Sequence, residues 1–292
     1  MVDRAVAYRN LIKDYIILTK PGIVLLVLIT TLTGMYFAQR GFPEPWLVFW
    51  TLLGTGLASA GSAVLNQFFD RDIDALMGRT RERPLPSGSI GPRNALFFGV
   101  FLLLLSLLIL LLKVNLLATS LVLLASLFYV VVYTLALKRV SPIATEIGGV
   151  SGALPPVIGY ASVKGEVNPE ALILFIIMFL WQPPHFWVLA IKYVEDYKRA
   201  GVPTLPVSKG IDHTKIKTLI YTASLLPLSL LPSLYGLAGS LYFFSALVLS
   251  GVYLLLTLRF VFSRKPNGMF LFFYSVLYIA LLFSIMVFDM VR

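Results

Sequence analysis

The sequence has no cysteine at all. Disulfides, thiolate nucleophiles and cysteine-ligated metal centres are therefore excluded. Histidine is nearly absent as well: His185 and His213 are too few for a multi-histidine zinc or iron site. Charge is scarce, with Asp, Glu, Lys and Arg making up 13% of 292 residues, where an ordinary soluble domain carries about 25%. What fills the chain is apolar: 58% of residues are hydrophobic, and the mean hydropathy is +0.87. No stretch is long and polar enough to make a separate soluble domain. The net charge of +10 does not point to nucleic acid. The basic residues lie between apolar runs, where they face lipid headgroups or an anionic substrate.

A helix crossing a bilayer needs about 20 mostly apolar residues. Nine runs qualify, over about 15–37, 45–69, 92–112, 115–136, 142–162, 169–191, 214–235, 238–260 and 267–289. The expectation is an all-α polytopic membrane protein with nine transmembrane helices. The N-terminal segment MVDRAVAYRNLIKDY has no small-residue cleavage site after an apolar core. It reads as an amphipathic lead-in on the membrane surface rather than a cleaved signal. Placing the N-terminus in the cytoplasm puts all but four of the 24 Lys and Arg residues on that side. The exceptions are Arg40, Lys113, Lys164 and Arg292. This bias predicts the orientation in a cytoplasmic membrane.

Two cytoplasmic loops, about 70–91 and 192–213, share a pattern of carboxylates, then basic residues, then Leu-Pro. The pattern suggests one domain over 1–292, built of pseudo-equivalent halves at about 15–136 and 142–260 with the ninth helix added. In the first loop region, Asn66, Asp70 and Asp74 recur every four residues. Each such step turns a helix by only about 40°, so the three share one stripe. Oxygen ligands without nitrogen or sulfur suit Mg²⁺, which takes one or two carboxylates plus substrate phosphates. Asn66 lies inside an apolar run, where polar groups are costly and commonly functional. Asp72 falls off the stripe. Arg79, Arg81 and Arg83 obey the positive-inside bias, yet they alternate with the acids in one compact segment. That mixture fits a phosphate held by metal on one side and arginine on the other. Lys138 and Arg139 either join them or serve as interfacial anchors.

The second loop offers Glu195 and Asp196 flanked by Lys192, Lys198 and Arg199, with Asp196 the better metal candidate. Just before it, WQPPHFW (181–187) sets His185 between two tryptophans after a pair of prolines. Paired prolines break helix hydrogen bonding and favour a protein-lined cavity, so His185 is a candidate substrate contact. Glu146 is expected to pair with Lys138 or Arg139. Gly148, Gly149 and Gly152 beside it permit close helix approach. His213 carries no special expectation.

The string NQFFDRDIDALMGRTRERPLP, from Asn66 to Pro86, resembles the first aspartate-rich motif of the intramembrane aromatic prenyltransferases. LTKPGIVLLVLIT, YTLALKR, GGVSGALPPVIGY, WQPPHFWVLA and DYKRAGVPTLPV are similar to the branch that farnesylates protohaem IX, the haem O synthases. The second motif departs from the wider superfamily at Ala200, where a further Asp is usual. The resemblance implies nine helices around a central cavity, farnesyl diphosphate and haem B as substrates, and haem O as product. It implies Mg²⁺ organised by Asn66, Asp70, Asp74 and Asp196. Diphosphate would meet Arg79, Arg83, Lys138, Lys198 and Arg199, and the porphyrin would face His185 and Trp181. An oxidase-assembly factor or haem A synthase is the implied protein partner. Other readings are a sister enzyme prenylating a quinone precursor or another aromatic or lipid acceptor, a cation-coupled transporter, and a non-enzymatic haem factor.

Overall fold

The computed structural model describes residues 11–263 and 268–291. Residues 1–10, most of the amphipathic lead-in, and Arg264 and Lys265 of the last basic loop lie outside that range. The long helices are α1 (Pro21–Gln39), α2 (Pro45–Leu76), α3 (Pro92–Lys113), α4 (Leu116–Leu137), α5 (Ala144–Lys164), α6 (Pro169–Lys192), α7 (Ile211–Ser229), α8 (Ser240–Phe262) and α9 (Met269–Phe288). Among the described residues the only β feature is an isolated bridge between Ala238 and Met290. Four helices open on proline, whose missing N–H is no loss in a first turn. Side chains of Glu44, Asn115 and Asn168 cap α2, α4 and α6 by accepting from N–H groups of the first turn.

Among the described residues, seven helices are long and apolar enough to cross a membrane. The exceptions are α5, diluted by glycines and two prolines, and α7, which opens IDHTKIK. The outer faces confirm the solvent. On α3, Phe97, Phe101, Leu104 and Leu108 are all more than half exposed, at helical spacing. In water such a stripe is a sticky patch, whereas in lipid it is the solvated face. The chain is a multi-pass membrane protein.

Helix α2 is longer than its apolar run. Its 32 residues span about 48 Å at 1.5 Å each, against about 30 Å of hydrocarbon. Asp70 and Asp74 are therefore helical residues rather than part of a loop. The proline pairs do not interrupt their helices: α6 runs through Pro183 and Pro184, and α5 through Pro155 and Pro156. Each proline removes only its own amide bond, so the rest of the helical ladder persists. Gln182 Nε2 donates to Met178 O at 3.2 Å and across to Gly149 O at 2.9 Å.

Packing relies on glycine at a few crossings. A Cβ on Gly34 of α1 would sit 1.9 Å from Pro156 O of α5, and one on Gly159 of α5 would sit 1.9 Å from Thr31 O. The two backbones touch directly, as small residues allow in membranes. In α4 the hydrogen bonding widens to π-helical over Phe128–Leu137. Thr134 Oγ1 donates to Tyr129 O, five residues earlier, at 2.8 Å. The same segment lays the Tyr129 and Tyr133 rings nearly parallel, 5.9 Å apart. Such insertions recur where a helix serves a site.

Candidate active site

The helices enclose a cavity of about 470 Å³. One end is charged. Asn66, Asp70 and Asp74 line it from α2, all under 5% exposed. Their stripe is real: Asn66 Nδ2 donates to Asp70 Oδ2 at 2.7 Å and to Thr134 Oγ1 at 3.0 Å. Lys138, at the end of the π-helical segment, donates to Asp70 Oδ2 at 2.5 Å. Arg83 donates to Asp74 Oδ2 at 2.7 Å. Arg79 also lines the cavity, its guanidinium 5.3 Å from the Tyr193 ring. Asp72, off the stripe, is exposed and binds Arg139 through both oxygens at 2.7 Å.

Sequence reasoning missed Lys20. It lies just ahead of α1 in a left-handed conformation, with φ 51° and ψ 63°, unusual for a non-glycine residue. Its Nζ donates to Asn66 Oδ1 at 2.7 Å and reaches the Tyr129 hydroxyl at 3.4 Å. Burial above all, then the charges of Arg83 and Lys138, pull its pKa down to about 7. Arg79, Arg83 and Lys138 face two carboxylates on this wall, with Lys20 partly charged beside them. The surplus is positive, which suits an anion. Lys20 was hidden because the positive-inside bias alone explains a lysine at that position.

One atom here speaks for a metal. Asp70 Oδ1 is buried and takes no hydrogen bond, while Oδ2 serves both Asn66 and Lys138. A free anionic oxygen on a cavity wall is a donor for a hard cation. Among the described residues no three Asp, Glu or His side chains converge on one point. The chain can thus offer two carboxylates and a carboxamide, which leaves room for phosphate oxygens and water.

The second loop is arranged differently from expectation. The short helix Val194–Arg199 turns Tyr197 inward, buried on the cavity wall. Asp196, Lys198 and Arg199 do not line the cavity. Asp196 stands beside Gly78, and Arg199 pairs with it at 2.8 Å while remaining mostly exposed. Glu146 pairs with neither Lys138 nor Arg139. It binds Lys217 and, at 3.2 Å, the Tyr221 hydroxyl, both on α7. The reason is competition: the end of the π-helical segment sends Lys138 and Arg139 to Asp70 and Asp72 on α2.

The rest of the cavity is apolar and aromatic. Val27, Val122 and Ile158 line it with Tyr129, Tyr133, Phe186 and Tyr197. His185 and Trp181 lie on the α6 wall. The His185 ring is stacked between Trp181 and Phe272, and its Nδ1 is 2.7 Å from Ser275 Oγ. The Gln182 side chain lies against Gly152, where a Cβ would come within 2.2 Å of Oε1.

Residues 27–285 match the UbiA prenyltransferase family. The chain belongs to this family. It is 60% identical, over the full length of both chains, to the protoheme IX farnesyltransferase of Aquifex aeolicus. It is 47% identical, over 97% of its own length, to the protoheme IX farnesyltransferase of a Roseiflexus species, of whose longer chain it covers 53%. Among solved structures, digeranylgeranylglyceryl phosphate synthase matches with a TM-score of 0.80 at 21% identity, covering 96% of this chain and 98% of the other. A UbiA homolog from Archaeoglobus fulgidus bound to DMAPP and Mg²⁺ matches with a TM-score of 0.65 at 21% identity, covering 94% and 99%. At these identities the structural likeness is one of fold. For a UbiA-family prenyltransferase, the charged end and the aromatic interior of the cavity correspond to the two needs of prenyl transfer, a leaving anion and a sheltered cation.

Proposed function

We propose that this chain transfers the farnesyl group of farnesyl diphosphate to a vinyl carbon of haem B, with addition of water, to give haem O for haem A synthesis. The observation that carries the reading is a single cavity joining a carboxylate-and-cation end to an aromatic interior that contains His185. The choice of acceptor is supported by the full-length 60% identity to a protoheme IX farnesyltransferase.

Asn66, Asp70 and Asp74 would hold Mg²⁺, with Asp196 as a further carboxylate at the rim beside Gly78. When bound, the metal supplies Lewis-acid neutralisation of the diphosphate oxygens. Arg79, Arg83, Lys138 and Lys20 add fixed donors aimed at the charge that grows on the leaving group. Lys198 and Arg199, on the exposed side of their helix, offer charge to the approaching diphosphate. The C–O bond breaks with its electron pair on the diphosphate, leaving an allylic cation. Tyr129, Tyr133, Phe186 and Tyr197 present aromatic faces that stabilise such a cation and keep bulk water away. The vinyl π electrons form the new C–C bond. Water captures the resulting cation and loses a proton, so the chemistry needs no strong base.

The same reading gives nine membrane crossings, with α5 and α7 completing the seven more apolar spans. It keeps one domain of two pseudo-equivalent halves, 15–136 and 142–260. In each half a long helix, α2 or α6, runs into a charged segment. The basic loops and the charged end of the cavity face the cytoplasm in a cell membrane, and a haem A synthase or oxidase-assembly factor receives the product. The test is to incubate purified protein with Mg²⁺, farnesyl diphosphate and haem B, and to weigh the haem. A gain of one farnesyl group plus one hydroxyl group supports the reading. Prenylation of hydroxybenzoate with haem left unchanged selects the sister enzyme.

A further inference from the structure

We infer that Ser275 fixes His185 as its Nδ1–H tautomer and so presents the Nε2 lone pair to the cavity as a ligand for the iron of a metalloporphyrin. Ser275 of α9 meets Phe272, His185 and the hydroxyl of Tyr253, which donates to it. Its Oγ is 2.6 Å from Phe272 O and 2.7 Å from His185 Nδ1. A carbonyl oxygen only accepts, so the single hydroxyl proton of Ser275 is committed to Phe272. The bond to His185 then requires Nδ1 to donate. A neutral imidazole carries one N–H, which leaves Nε2 with a lone pair.

The surroundings of the ring decide where that lone pair points. One face is covered by Trp181, with centroids 4.8 Å apart and planes 20° from parallel. The other is covered by Phe272, at 4.4 Å and 23°. Trp181 is itself pinned, its indole N–H donating to Ser275 O at 2.7 Å. Both faces and the Nδ1 edge are thus taken by protein. His185 nevertheless lines the cavity, so the edge it shows there carries Nε2.

The geometry narrows the role of the residue. Neither face is free to stack on a macrocycle. A propionate carboxylate would set an acceptor against an acceptor, so it is not the partner. An electron-pair acceptor suits the lone pair, and the iron at the centre of a porphyrin is one. Ser275 is then a positioning residue that acts through His185, in the way outer groups orient metal-ligating histidines. This rests on the haem reading proposed above, and the experiment has one arm that does not.

The chain has only two histidines, so His213→Gln leaves a single imidazole for ¹⁵N NMR in nanodiscs. Without haem, the spectrum is expected to show a protonated Nδ1 and an unprotonated Nε2. Ser275→Ala should give a mixture of tautomers, and Ser275→Thr should restore the single form. A protonated Nε2 with the Ser275 hydroxyl intact overturns the inference. In the second arm, ferric haem is titrated into the wild type, Ser275→Ala and His185→Ala. The wild type should give a histidine-ligated Soret shift that His185→Ala loses, and Ser275→Ala should weaken binding about 10- to 100-fold. Haem bound with the same spectrum in wild type and His185→Ala overturns the ligand assignment while the haem reading survives. No haem binding and no haem O formation defeats the haem reading and the iron assignment together, with the tautomer still decided by NMR.

Discussion

Asp70 has one oxygen shared by an amide and an ammonium and one that is buried and unbonded. That asymmetry separates its structural duty from its chemical one. Asp70→Asn keeps the shape and can still accept from Asn66, but it loses the anionic donor. Turnover is expected to fall by at least about 10²- to 10³-fold, the range for losing one charge-stabilising group at a reaction centre. Asp74→Asn should behave alike, and thermal unfolding of both variants in detergent should show that they remain folded. Near-normal turnover in both would refute the metal assignment. Lys20→Met should raise the KM for farnesyl diphosphate about tenfold, equivalent to about 1.4 kcal/mol. The KM for haem should hardly change, because Lys20 sits at the charged end only. An unchanged KM for the diphosphate would mean that Lys20 merely positions Asn66.

At the scale of elements, helices meet where side chains are missing. The crossing of α1 and α5 has no room for even one added carbon at Gly34 or Gly159. Gly159→Val should destabilise by about 1–3 kcal/mol or more, the usual cost of overpacking, read as a lowered unfolding temperature. A variant as stable as the wild type would show that the crossing tolerates separation. Gly152 is a subtler case, because the obstacle is the mobile end of Gln182 rather than backbone. Gly152→Ala is expected to push Gln182 into the cavity and raise the KM for the porphyrin with little effect on that for the diphosphate. Equal changes in both would point to a general loss of shape. The π-helical stretch of α4 belongs to this scale too. By widening the turn it delivers Thr134 and Lys138 to the α2 stripe, and Tyr129 to Lys20, from a single segment.

For the molecule as a whole, the open question is which end faces the cytoplasm. The absence of cysteine makes single-cysteine labelling clean. With the basic loops inside, Ser89→Cys and Lys209→Cys, both at exposed positions between long helices, should react only with reagent admitted to the cytoplasmic side. Phe42→Cys and Glu166→Cys, in the short connections at the opposite end of the helices, should react with impermeant reagent added outside. The reverse pattern would invert the proposed orientation and place the charged end of the cavity outside. Lipid-facing rows such as Phe97, Phe101, Leu104 and Leu108 imply that the fold is stable only in a lipid-like solvent. The hydrophobic effect does little to hold helices together there, and close packing and buried hydrogen bonds carry more of the task.

The all-helical membrane class and the stripe of Asn66, Asp70 and Asp74 were legible in the sequence because they are short-range. Apolar run length sets a crossing, and a period of four residues sets a helix face, whatever the rest of the chain does. The family was legible too, because its motifs are contiguous strings. What remained hidden depends on partners far apart in the chain. Lys20 meets Asn66 from 46 residues away, Lys138 meets Asp70 from 68, and Ser275 meets His185 from 90. No local pattern encodes such pairs, because helix packing chooses them. The same holds for the second loop, where composition favoured Asp196, Lys198 and Arg199, yet the docking of one short helix turned Tyr197 to the cavity instead. The sequence by itself determined which residues bear charge and near which end of a helix. Only the tertiary structure decided which of them share a wall, because that depends on how each helix is rotated against its neighbours.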